Sequence, residues 1–179
     1  MRRSIVIALA ATAALLGAAA PASASAGSTQ DGGVLVNRPW EPLPAPPFDL
    51  AAGAYCDFPV HGEATVNKVR TKVIEEYPDG SPKVQIGGGA LKFRLTNTAT
   101  GASMIADAGG SAVFHFFPDG TKTWDVVGPV LGTFRDGVGN VGRGVWTVNG
   151  IYHIHFTATN YKTITIYHGG IHDDCADIG

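Results

Sequence analysis

His153-Ile154-His155 sets two imidazoles two residues apart. On an extended strand such residues share a face and lie about 7 Å apart. With a third donor from a neighbouring strand they can hold a transition metal, which makes His153 and His155 the candidate metal ligands. Without metal, the same pair suits a ligand pocket or a half-exposed face beside threonines. Asn149-Gly150, between two alternating runs, reads as a two-residue hairpin turn. That turn sets Trp146 opposite His153 and gives one face carrying Trp146, Val148, Ile151, His153 and His155. A two- or four-residue loop after Thr159 then adds His168 opposite His153, whereas a three-residue loop turns it away. The candidate ligand-binding residues are therefore Trp146, His153, His155 and His168, with Trp124 as a further aromatic.

Other chemistry-bearing residues are sparser. His115 sits between Phe114 and Phe116. Across the Pro118-Asp119-Gly120 turn it faces Thr123, with Asp125 on the diagonal. A His–Asp pair is half of many hydrolytic sites, but no Gly-x-Ser-x-Gly supplies a nucleophile, so no catalytic residue is assigned. Glu75 and Glu76 point to opposite faces of a strand and make a poor carboxylate dyad. His168-Gly-Gly-Ile-His172-Asp173-Asp174 reads as a solvated tail. No glycine cluster has the pattern of a phosphate-binding loop, and no cofactor is expected.

The elements that must position these residues read as β throughout. From Cys56 onward, short runs of Val, Ile, Thr, Phe and Tyr alternate with turn signals, and no segment sustains a 3.6-residue apolar period. Strands are predicted over 63–77, 82–86, 90–97, 102–107, 111–117, 121–127, 130–135, 143–148, 151–159 and 163–168. The predicted class is all-β, an antiparallel β-barrel (calycin-like) or a β-sandwich of about 8–10 short strands. Tyr77-Pro-Asp-Gly80 and Phe117-Pro-Asp-Gly120 are nearly the same phrase. Either they mark an internal duplication, or Pro-Asp-Gly is simply a good turn used twice. Paired and tripled glycines, at 87–89 and 109–110, read as bends that curve the sheet.

The N-terminal region sets compartment and boundaries. Arg2-Arg3, an uncharged run from Ile5 to Ala20 and small residues through Ala26 predict a cleaved signal peptide over 1–26. Residues 27–55 read as a Pro-rich flexible segment, with five prolines between Arg38 and Pro47. Trp40 and Phe48 within it could dock on the domain or on a partner. Residues 56–179 then form a single β domain closed by a Cys56–Cys175 disulfide, because two cysteines in an exported chain read as one bridge. No later stretch is apolar enough to span a membrane. The chain has 13 basic and 15 acidic residues, and Arg2 and Arg3 leave with the leader. A mildly acidic domain without a basic stripe is a poor nucleic-acid binder.

The Arg-Arg, Ala-rich leader, Cys56-Asp-Phe-Pro-Val60, Thr96-Asn-Thr-Ala-Thr-Gly101 and Phe117-Pro-Asp-Gly-Thr121 carry a resemblance. With them the chain resembles the uncharacterised small secreted β-domain proteins of high-GC Gram-positive bacteria. That resemblance implies export and a β domain, with no activity attached. His153-x-His155 is similar to the metal-binding strand of the cupins, but that family's following glutamate is missing here. Three functions fit. The first is a non-catalytic binding module for an unknown extracellular ligand or protein, including a small apolar molecule held in a barrel. The second is a metal-dependent or small-molecule-converting enzyme using the histidines. The third is a cell-surface structural protein displayed by its Pro-rich arm.

Overall fold

The computed structural model describes residues 32–179; the leader expected over 1–26 lies outside the described residues. Three short strands open the described chain: β1 (Val34–Leu35), β2 (Glu41–Pro42) and β3 (Phe48–Leu50). They are followed by β4 (Val60–Asn67), β5 (Arg70–Glu76), β6 (Pro82–Gly88), β7 (Leu91–Asn97), β8 (Ser103–Asp107), β9 (Ser111–Phe116), β10 (Lys122–Val127) and β11 (Val130–Phe134). A long hairpin, β12 (Gly144–Phe156) and β13 (Lys162–Asp173), precedes the one-turn helix α1 (Asp174–Ile178). All named strand pairs are antiparallel. The all-β expectation holds. The strands are more numerous than expected, and among the described residues no closed barrel is found.

Two sheets form. The nine-stranded sheet runs β1-β5-β6-β9-β10-β12-β11, with β2 also on β5 and β13 on the far edge of β12. The four-stranded sheet runs β3-β4-β7-β8. Between β4 and β5, β6 and β7, and β8 and β9 the chain passes from one sheet to the other at sharp corners, where the backbone stays paired: Lys68 N–H donates to Ala90 O, Ala108 to Leu91 and Gly110 to Pro129. The first corner divides the single strand expected over 63–77. There the Asn67 side chain accepts from the Val69 amide at 3.1 Å and turns the chain between β4 and β5. Gly89 is required at the next corner, with φ of 141° and the Lys68 carbonyl where a Cβ would stand.

Each sheet buries one apolar cluster. Val126, Tyr152, Ile154, Phe156 and Phe134 fill the inner face of the large sheet. Val60, Phe93, Leu95, Val145 and Ile178 join the small sheet to α1 and to the first half of β12. β12 therefore serves both clusters: Val145 faces the small sheet, while the even-numbered residues from Val148 to Phe156 face the large-sheet core. The Cys56–Cys175 disulfide expected from the sequence is present and ties α1 to the segment before β4.

Three hairpins of the large sheet, β5–β6, β9–β10 and β12–β13, lie side by side and end in one turn geometry. The turns begin at Tyr77, Phe117 and Thr157, evenly spaced along the chain. In each, the first residue's N–H donates to the carbonyl four positions on, and its carbonyl accepts from the residue three positions on. That third position holds Gly80 (φ 84°), Gly120 (φ 82°) and Asn160 (φ 62°), all left-handed. The third turn is unmarked in the sequence because Ala-Thr-Asn replaces Pro-Asp-Gly.

The predicted Asn149-Gly150 hairpin is absent. β12 runs straight through these residues, with Asn149 opposite Gly170 and Gly150 opposite Gly169 of β13. Gly150 (φ 127°) and Gly169 (φ 105°) let the two backbones approach where a side chain at either would strike the partner strand. The Asn-Gly signal thus marks a close crossing inside a hairpin, not its tip. The solvated tail expected from His168 is in fact the end of β13 followed by α1, capped by the Asp173 carboxylate accepting from Cys175 N and Ala176 N.

The Pro-rich segment lies along the sheets. Ahead of its prolines the Val36 amide donates to the Ile74 carbonyl, and between them the Leu43 amide donates to the Val69 carbonyl. Arg38 grips Glu76 through two bonds of 2.7 and 2.8 Å, and Arg70 donates to the Trp40 carbonyl at 2.8 Å.

Candidate functional site

The outer face of the large sheet is formed by residues opposed across five adjacent strands, β6, β9, β10, β12 and β13. One row is Val84, His115, Thr123, His155 and Thr163. The next row on the same face is Ile86, Val113, Asp125, His153 and Thr165. Every intervening row points inward, as the period of two requires. His153 and His155 thus share a face, as expected. Trp124 and Trp146 pack against the inner cluster on the opposite side. Trp146 leaves the histidines because its predicted pairing with His153 depended on the hairpin that does not form. Its indole N–H instead donates to the Gly142 carbonyl at 3.0 Å.

His168 does not meet His153. The loop between β12 and β13 holds three residues, 158–160, the case in which His168 turns away, and His153 lies opposite Thr165. A slip between Ile151 and Tyr152, with Tyr167 as the extra residue, then sets His168 opposite Ile151. His168 is exposed there.

Asp125 organises the centre of the face. Its Oδ1 lies 2.7 Å from His153 Nδ1, and its Oδ2 lies 3.8 Å from His115 Nε2. An ionised Asp125 fixes His153 as the Nδ1–H tautomer, which leaves Nε2 as an acceptor for a ligand hydroxyl or a proton. The sequence placed Asp125 near His115 through the hairpin turn. It missed the stronger contact to His153, which depends on β10 pairing with β12 across a long connection. Among the described residues no group of three or more His, Cys, Asp and Glu is arranged to hold a metal ion.

Two hollows flank this centre. At the turn end, a cleft of about 1190 Å³ opens between the Tyr77 and Phe117 turns, with Thr123 and His155 also lining it. Phe117 is 42% exposed. Tyr77 is buried and fixes one wall by donating its hydroxyl to the Phe116 carbonyl at 2.8 Å. Asp79 and Asp119 are held alike, each Oδ1 accepting a hydroxyl at 2.6 Å and a backbone N–H, from Ser81 and from Thr121. These hydroxyl bonds, with the backbone bonds second, hold both carboxyls below the ordinary aspartate range and keep them ionised. Each keeps a second oxygen outside the turn bonds. At the other end, Trp40 of the N-terminal arm stands beside Ile86, Val113 and Val127 and borders Asp125.

No family model matches this chain, and neither does a curated protein or a solved structure. The site is therefore read from its own chemistry.

The inner face offers less room. A partly enclosed cavity of about 150 Å³ is lined by Trp124, Phe134, Tyr152, Phe156 and Lys162 among others. Trp124 meets Phe114 edge-on at 5.2 Å and Phe156 at 4.7 Å, so the wall on that side is built of packed rings.

Proposed function

We propose that this chain is a secreted binding module and that the turn-end cleft, with the adjoining histidine face, binds a hydroxyl-rich extracellular ligand of the glycan class. The carrying observation is the cleft between the paired turns. It combines an exposed ring at Phe117, two carboxylates locked in identical turns, and His155. Aromatic faces stack on the C–H surfaces of sugars, and fixed acceptors bind their hydroxyls. An open, preformed trough suits a chain that must enter from the side. The leader read from residues 1–26 and the Cys56–Cys175 bridge support export. Ligand sites for drug-sized molecules occupy roughly 300–1,000 Å³, so the outer cleft has the capacity of such a site and the inner cavity falls short of it.

A second reading rests on Asp125, whose bond to His153 prepares that imidazole as a base. It makes the same face a site of slow turnover of whatever the cleft holds.

The test is retention of the purified domain on insoluble polysaccharides and on a glycan array. Phe117→Ala and Asp119→Asn are each expected to weaken retention about tenfold, the effect of losing one stacking or charged contact of roughly 1.4 kcal/mol. Wild-type protein that is folded and ignores every glycan, or variants that bind undiminished, would overturn the proposal. Release of shortened or modified glycan that stops in His153→Ala would establish the second reading.

A further inference from the structure

Lys162 is half-buried on the inner side of the large sheet, against the second cavity. Its ammonium has three donors. One is used, on the Thr133 carbonyl at 2.9 Å. The remaining contact is the Phe134 ring, with the nitrogen 4.8 Å from its centre. Lys122 flanks the same site: Lys122 and Lys162 are both paired to Phe156, one from each neighbouring strand, and Lys122 stands 4.9 Å over that ring. Among the described residues neither lysine has a carboxylate partner. Two cations therefore share one aromatic rim with no counter-charge. Burial, and then repulsion from Lys122, depress the basicity of Lys162, the direction expected of an amine that lacks an anion.

An uncompensated, half-buried cation is costly unless something pairs with it. The adjoining cavity of about 150 Å³ limits what that something can carry. An apolar cavity of about that size accommodates a benzene-sized molecule. Its walls are aromatic and aliphatic, with Trp124, Phe134 and Phe156 lining it together with Lys162.

We infer that this cavity is a second binding site, distinct from the outer cleft, that takes a compact aromatic carboxylate with its ring among Trp124, Phe134 and Phe156 and its carboxylate on Lys162. The charge selects the anion, and the volume excludes long acyl chains. Lys122 strengthens the field at the rim without entering the cavity.

Benzoate is the probe, titrated at constant ionic strength and followed by the Trp124 indole N–H and the methyl signals of Ile154 and Ile164 in NMR spectra. Saturable shifts confined to this cluster are expected, with a Kd below about 1 mM. Lys162→Met should weaken benzoate binding at least tenfold while toluene binds both proteins equally. Lys122→Gln, at the half-exposed rim, should weaken benzoate by about threefold, and it serves if Lys162→Met fails to fold. Absence of shifts with benzoate, equal binding of benzoate by folded Lys162→Met, or acetate binding as tightly as benzoate would each overturn the inference. A failure here leaves glycan retention by the outer cleft unaffected, since the two sites lie on opposite faces.

Discussion

Cys56→Ser/Cys175→Ser protein is expected to unfold with a free energy about 4 kcal/mol below that of the oxidised wild type. The bridge joins residues 119 apart. Closing a loop of that length removes roughly 4–5 kcal/mol of conformational freedom from the unfolded chain. Packing adds to the loss on the folded side. Cys56 is buried in the small-sheet cluster beside Ile178, and the Val145 amide donates to Cys175 Sγ at 3.3 Å. α1 is a single turn, too short to persist alone. Its hold on the domain otherwise rests on Ile178, on the Asn97 side chain donating to the Ile178 carbonyl at 3.0 Å, and on the bond from Thr147 to Asp174. Equilibrium urea unfolding measures the difference. With a slope of about 2 kcal/mol per molar, the midpoint should fall by about 2 M. A fall below about 0.5 M would mean that packing of α1, and not covalent closure, holds the C-terminus.

Local chemistry made much of this fold legible. Pro-Asp-Gly at 78–80 and 118–120 marked two hairpin tips correctly, because proline presets one dihedral and glycine accepts the left-handed one. The strands from β6 to β11 follow from alternation bounded by such signals. What failed was inference from one local signal to long-range register. Asn149-Gly150 has the composition of a turn, yet Gly169-Gly170 sits across from it, and the pair of small residues serves a close crossing instead. That one misreading moved Trp146 to the wrong face.

The histidine face was half-legible for the same reason. His153 and His155 share a face by strand geometry alone. Their partner Asp125 comes from β10, and only the sheet order β9-β10-β12 brings it there. The third turn, at Thr157, argues for the duplication reading of the first two. Three hairpins with evenly spaced tips, adjacent in one sheet, match a repeated unit better than a turn sequence reused by chance. The chemistry of the three tips differs: the first two line the cleft with aromatic residues and carboxylates, while the third carries Ala158 and Thr159.

Asp174→Asn is expected to raise stability by about 2 kcal/mol at pH 7 and to lower it by about 1 kcal/mol at pH 3. Asp174 is fully buried at the start of α1, and both its oxygens are within 2.9–3.1 Å of the Thr147 hydroxyl. Burial pushes its pKa up to about 6, against an ordinary value of 3.8. The Thr147 bond and the charge of His172 pull it down, and Asp177 and Asp173 push it up. His172 is itself raised by its 2.8 Å contact with Asp177, so it carries positive charge toward the acidic side of neutrality. Below pH 3.8 the folded and unfolded chains both hold the Asp174 proton, and the group contributes nothing. Between 3.8 and 6 the unfolded chain releases it first, so stability falls as pH rises. Above 6 the full difference applies, roughly 3 kcal/mol for a shift of this size. The asparagine has no proton to lose; its amide nitrogen lacks a partner, which takes back about 1 kcal/mol. The difference between variant and wild type, measured by urea unfolding across pH 3–8, isolates Asp174 from carboxylates such as Glu76, Asp79 and Asp119. Those have depressed pKa values and act in the opposite direction. A difference that stays flat across that range would mean that Asp174 is ionised in the folded protein at acid pH, held by Thr147 and His172 against its burial.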